Sequence, residues 1–104
     1  MKKQDQIIIN NCVLDVLGDL RHSMYVFGKH DERKLRNCQA EVFRTEGYTV
    51  LRSYNTIVAC IGDLDGVCYD FLRYVYGYSA TSAQHITKFC NDYNAKKKYT
   101  YYPV

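Results

Sequence analysis

Tryptophan is absent from this chain of 104 residues, and proline occurs once, at Pro103. With no Pro-, Gly- or Ser-rich stretch and no repeat, nothing marks a linker, and the length fits one domain. No run approaches the ~18 apolar residues that span a bilayer. The start, "MKKQDQIIINNC", has an apolar run too short to be a secretory core. A cytoplasmic protein without membrane association is therefore expected. No phosphate-binding glycine loop, GxSxG or HExxH occurs, so the common signatures of NTPases, α/β-hydrolases and zinc proteases are missing. No CxxC pair occurs either, which excludes zinc-ribbon spacing. No cofactor and no metal are expected.

Charge of one sign is also scarce. The formal net charge is +3, carried largely by Lys96, Lys97 and Lys98. That argues against a DNA mimic, which should present many carboxylates and be strongly acidic. It gives only weak support to nucleic-acid binding, whose domains are usually far more basic.

Tyrosine is abundant: eleven residues. Its ring packs while its hydroxyl reaches water, which suits both a half-buried sheet face and a binding surface. The five cysteines, Cys12, Cys38, Cys60, Cys68 and Cys90, read as small buried hydrophobes of a reducing compartment.

Helical spacing runs from about Asn11 to Arg21, where Ile9, Cys12, Val13, Val16, Leu17 and Leu20 share a stripe and Asn10 or Asn11 is placed to cap. "MYVFG" suggests a short strand. "KHDERKLRNCQ" reads as a solvated short helix or loop, with Arg33 and Arg36 as a basic contact surface. Residues 1–38 thus form an N-terminal helical part.

The following stretch is rich in Val, Ile, Thr, Tyr and Phe and punctuated by turn residues, the pattern of an antiparallel meander. Strands are expected near Glu41–Thr45, Tyr48–Tyr54, Thr56–Ile61 and Val67–Tyr76. Around "GDLDG" two registers are open. A two-residue Asp65-Gly66 turn sets Cys60 opposite Phe71. A five-residue loop sets Cys60 opposite Cys68, allowing a disulfide or a metal half-site. Asp-Gly is the stronger turn signal and favours the first. An EF-hand fails, because the closing glutamate position counted from Asp63 is Tyr74.

Thr81 and Gln84 have capping-box spacing, and Ala83, Ile86, Phe89, Cys90 and Tyr93 form an apolar stripe of a closing helix. His85 falls at its border, with no nearby carboxylate to orient its ring. His22 and His30 form no ligand spacing with it. The sheet with this helix spans about 40–94. Residues 95–104 are a tail free to fray, although the alternation in "YTYY" offers an edge strand. Lysines beside tyrosines there also suit single-stranded nucleic acid.

Ser53-Tyr54-Asn55-Thr56-Ile57-Val58-Ala59 and Tyr78-Ser79-Ala80-Thr81-Ser82-Ala83-Gln84-His85-Ile86-Thr87-Lys88-Phe89 carry a resemblance. Over about residues 45–90 the chain resembles a family of small, mostly uncharacterised proteins of phages and mobile elements of Gram-positive bacteria. The resemblance implies a compact α+β module and no catalytic residue. Small phage proteins of this kind often act by binding, anti-CRISPR inhibitors among them.

The expectation is an α+β fold, an antiparallel meander of three to five strands packed by an N-terminal and a C-terminal helix. The expected function is non-catalytic inhibition of a host defence nuclease by binding a host protein or ribonucleoprotein. The expected surface comprises Tyr69, Tyr74, Tyr76, Arg33, Arg36, Lys96, Lys97 and Lys98. Weak nucleic-acid contact and homodimerisation through a sheet edge are further expectations. A regulator that binds nucleic acid through the Lys/Tyr tail is the alternative, and a hidden Cys–His enzyme the third reading.

Overall fold

A computed structural model describes residues 2–34 and 39–104. Helix α1 spans Lys3–Phe27. Five antiparallel strands follow: β1 (His30–Lys34), β2 (Ala40–Thr45), β3 (Tyr48–Ser53), β4 (Thr56–Gly62) and β5 (Val67–Asp70). A single helical turn, α2 (Leu72–Val75), leads to α3 (Ala80–Asp92). Strand β6 (Lys97–Thr100) then returns parallel to β5. The sheet order is β1-β2-β3-β4-β5-β6. The α+β fold with an N-terminal helix and a second long helix late in the chain is as expected, but the sheet is mixed and not wholly antiparallel, since β6 runs parallel to β5. One strand more than the upper expectation is present, because the alternation in the tail does add an edge.

One face of the sheet is covered by α1 and the other by α3. Val13, Leu17 and Leu20 of α1 pack on Phe43, Val50, Cys60 and Tyr69. Ile86 and Phe89 of α3 pack on Val42, Leu51, Ala59, Ile61 and Cys68 across the other face. The period-2 pattern of the strands assigns alternate residues to the two cores. A bulge between β3 and β4 (Leu51 pairs Ala59, Arg52 pairs Ile57) makes Val58 the extra residue.

Several expectations are corrected. Helix α1 begins eight residues earlier than the apolar spacing suggests, and "MYVF" is its last turn. Its buried stripe includes Gln6, Asn10 and Ser23, polar residues that an apolar count passes over, while Cys12 is exposed. Asn10 is therefore interior to the helix and not its cap. Residues 30–34 form an edge strand, so the N-terminal part is not wholly helical. The extended segment Val67–Tyr76 stops at Asp70, whose carboxylate accepts the Leu72 N–H at 3.0 Å and starts a helical turn.

Neither expected register around "GDLDG" forms. Cys60 pairs with Tyr69 and Ile61 with Cys68, leaving four residues in the loop. Asp65 sets it: its carboxylate accepts the Val67 N–H at 2.9 Å and the Tyr69 hydroxyl at 2.7 Å. That carboxylate lies where a Cβ on Gly62 would be, 2.6 Å away, and Gly66 supplies the positive φ of +69°. The shifted register puts Cys60 and Cys68 on opposite faces, so they share neither a disulfide nor a metal half-site.

The start of α3 differs as well. Ser79, not Thr81, is the cap, accepting the Ser82 N–H at 3.3 Å. His85 lies inward with Ser82, Ile86 and Phe89 on one buried stripe of the helix.

Candidate functional site

Helix α2 and the tail build the most distinctive surface. After Asp70 turns the chain, Leu72 enters the core and Arg73, Tyr74 and Tyr76 point outward. Gly77, at φ +88°, reverses the chain and presents Tyr78. The tail arrives alongside, fixed by the Tyr101 N–H donating to the Asp70 carbonyl at 2.9 Å.

Arg73 then lies between two rings. Its guanidinium carbon is 4.7 Å from the centre of Tyr78 and 4.4 Å from that of Tyr102. Tyr74 meets Tyr101 edge-on, with centroids 5.3 Å apart. Tyr74, Tyr76, Tyr78 and Tyr102 are 49%, 50%, 62% and 45% exposed, so the cluster is open to a partner. Scattered exposed apolar residues are ordinary, but aromatics gathered around an arginine match the make-up of protein-binding hot spots.

The tail is held by a clasp from α1. Asn10 donates to the Tyr102 carbonyl at 2.6 Å and accepts the Tyr102 N–H at 3.0 Å. Gln6 donates to Asn10 at 2.7 Å and to the Thr100 carbonyl at 3.0 Å. Tyr102 is thus positioned against Arg73 by residues at the opposite end of the chain.

A cleft of about 460 Å³ lies beside this surface, lined by Leu17, Arg21, Lys29, Arg52, Asn55 and Val75, among others. Val75 lines the cleft, and its chain neighbours Tyr74 and Tyr76 belong to the aromatic surface. Arg52 pairs with Glu41 at 2.9 Å, and its Nε has no hydrogen-bond partner among the described residues.

The expected site residues do not form one patch. Tyr74 and Tyr76 stand together on the surface just described. Tyr69 is buried against Tyr99 with its hydroxyl on Asp65, and burial with that bond raises its pKa. Lys97 is exposed on edge strand β6. Lys96 packs across Gly66, and Lys98 approaches Asp70 at 3.8 Å. Arg33 is on β1, at the far edge of the six-stranded sheet, some ~24 Å from β6 at ordinary strand spacing. Arg36 lies outside the described residues.

Sequence reading missed Arg73, Tyr78 and Tyr102. The signal was the arginine inside "FLRYVYGY", hidden by treating that segment as extended.

His85 is not a border residue but 1% exposed. Its Nδ1 is 2.8 Å from the Ser53 hydroxyl, which is 2.9 Å from that of Ser82. All three are buried between β3 and α3.

Among the described residues, no group of three or more His, Cys, Asp or Glu is placed to hold a metal ion. No described helix is long and apolar enough to cross a membrane.

The chain belongs to a family of unknown function, DUF8033, whose model matches residues 14–102. The match reaches well beyond the 45–90 of the sequence resemblance, taking in most of α1 and all of β6. No curated protein and no solved structure matches the chain.

Proposed function

We propose that this protein works without catalysis, by binding a protein partner through the α2–tail aromatic surface. The supporting observation is Arg73 held between Tyr78 and Tyr102 beside exposed Tyr74 and Tyr76. Rings already packed on a guanidinium lose little side-chain freedom on binding, and that preorganisation favours affinity. The resemblance to phage and mobile-element proteins supports a specific form of this reading. The chain would be a stoichiometric, anti-CRISPR-like inhibitor of a host defence nuclease, in the cytoplasm of a Gram-positive host. Self-association would use one of the two edge strands, β1 or β6.

Affinity capture from such a host followed by mass spectrometry tests the proposal. A protein or ribonucleoprotein retained in constant ratio supports it, and no retained partner removes its basis.

A second reading, an anionic or nucleic-acid ligand, is favoured by Arg21, Lys29 and Arg52 around one cleft. Phosphate-driven binding weakens steeply with salt. This reading requires the free protein to shift DNA or RNA at low salt, and it fails if no shift occurs.

A further inference from the structure

Cys68 lies in the centre of β5, paired across to Ile61 on one side and Lys98 on the other, and is fully buried. Cys90 lies on α3 and is half-buried. Their sulfurs are 2.6 Å apart, about half an ångström beyond the ~2.05 Å of a disulfide. Residues 22 apart in sequence meet only because α3 packs on the sheet. The four-residue loop turns Cys60, the partner of Cys68 in one expected register, to the other face.

We propose that Cys68 and Cys90 are a redox site: they form a reversible disulfide that ties α3 to β5, with a low-molecular-weight disulfide such as oxidised glutathione as oxidant. The bond forms by two exchanges. The Cys90 thiolate attacks one sulfur of the oxidant, forming a mixed disulfide and releasing one thiolate, which takes a proton. The Cys68 sulfur, after losing its proton, attacks the Cys90 sulfur and releases the second thiol. Two protein thiols and one small disulfide become one protein disulfide and two small thiols, with two electrons passed to the oxidant.

The order of attack follows from the surroundings. Cys90 reaches solvent, and its pKa is lowered by its hydrogen bond with Cys68 and by the charge of Lys98. Cys68 is raised by that same bond and by burial, and has no access to a bulky oxidant. Cys90 is therefore the entry sulfur and Cys68 the resolving one. Cys12 is exposed and far along α1, so it accepts adducts without supplying a resolving partner.

The test is to equilibrate the full chain in glutathione buffers from reducing to oxidising, quench with acid, and alkylate. The proposal expects an intact mass short of two hydrogens in oxidising buffer and a non-reduced peptide joining Cys68 to Cys90. It also expects a melting temperature raised by roughly 10 °C and reversed by dithiothreitol. Cys12→Ser retains the link and Cys90→Ser abolishes it. Comparing oxidised and reduced wild type needs no variant to fold. Glutathione adducts alone, a link mapping elsewhere, or an unchanged mass at the most oxidising poise would overturn it.

Discussion

Asn10 and Tyr102, 92 residues apart, exchange two hydrogen bonds: the Asn10 amide donates to the Tyr102 carbonyl and its oxygen accepts the Tyr102 N–H. A side chain thus pairs with a backbone as a neighbouring strand would. The consequence is functional, because the same tyrosine stacks on Arg73.

Asn10→Ala leaves the Tyr102 backbone groups unpaired and removes an acceptor of Gln6. The expected cost is about 1–3 kcal/mol of stability, measured by urea unfolding. Hydrogen exchange at residues 100–102 should rise more than the global loss requires. Unchanged exchange at the tail would show that the clasp does not hold it.

The Ser53–His85–Ser82 cluster fastens α3 to the sheet from inside. His85→Ala opens a cavity and removes one partner of the Ser53 hydroxyl, which keeps its bond to Ser82, so a loss of about 2–4 kcal/mol is expected. Ser53→Ala should cost about 1–3 kcal/mol. If His85→Ala unfolds at the same urea concentration as wild type, the cluster is not a fastening.

Asp70 carries a pH signature. Burial pushes its carboxyl above the ordinary value of 3.8, against the opposing pull of the Leu72 N–H, Lys98 and Arg73. A raised folded pKa means that the folded state holds the proton more tightly. The associated stability is fully present below the unfolded pKa and is lost as pH rises through the folded one. Asp70→Asn keeps an oxygen for Leu72 and removes the charge. Its stability relative to wild type should therefore be more favourable at pH 7 than at pH 4. An equal difference at the two pH values would contradict this.

What could be read ahead depended on whether a signal was local. The strands β2, β3 and β4 were legible because alternation and the turns at Gly47 and Asn55 are neighbouring residues. The core side of α3 was legible from Ile86 and Phe89, but the burial of His85 was not, since its partner Ser53 lies on β3, 32 residues away. α1 was read short because half of its buried stripe is polar, and those polar residues find partners in β2, the turn after it and the tail, far along the chain. The break after Asp70 depends on one side-chain acceptor. That error hid Arg73 and with it the most distinctive surface. Cys68 and Cys90 could be paired only once the loop at Asp65 set the register.

The central claim, partner binding through the α2–tail surface, is tested most directly by quantitative capture with wild type beside Arg73→Ala/Tyr78→Ala. Exposed cation–π contacts contribute only about 0.5–1 kcal/mol each to folding, so the double variant should remain folded. The account predicts a partner retained by wild type and weakened roughly 30-fold or more by the variant, the loss of about 2 kcal/mol of a hot spot. Equal retention by the folded variant would contradict it.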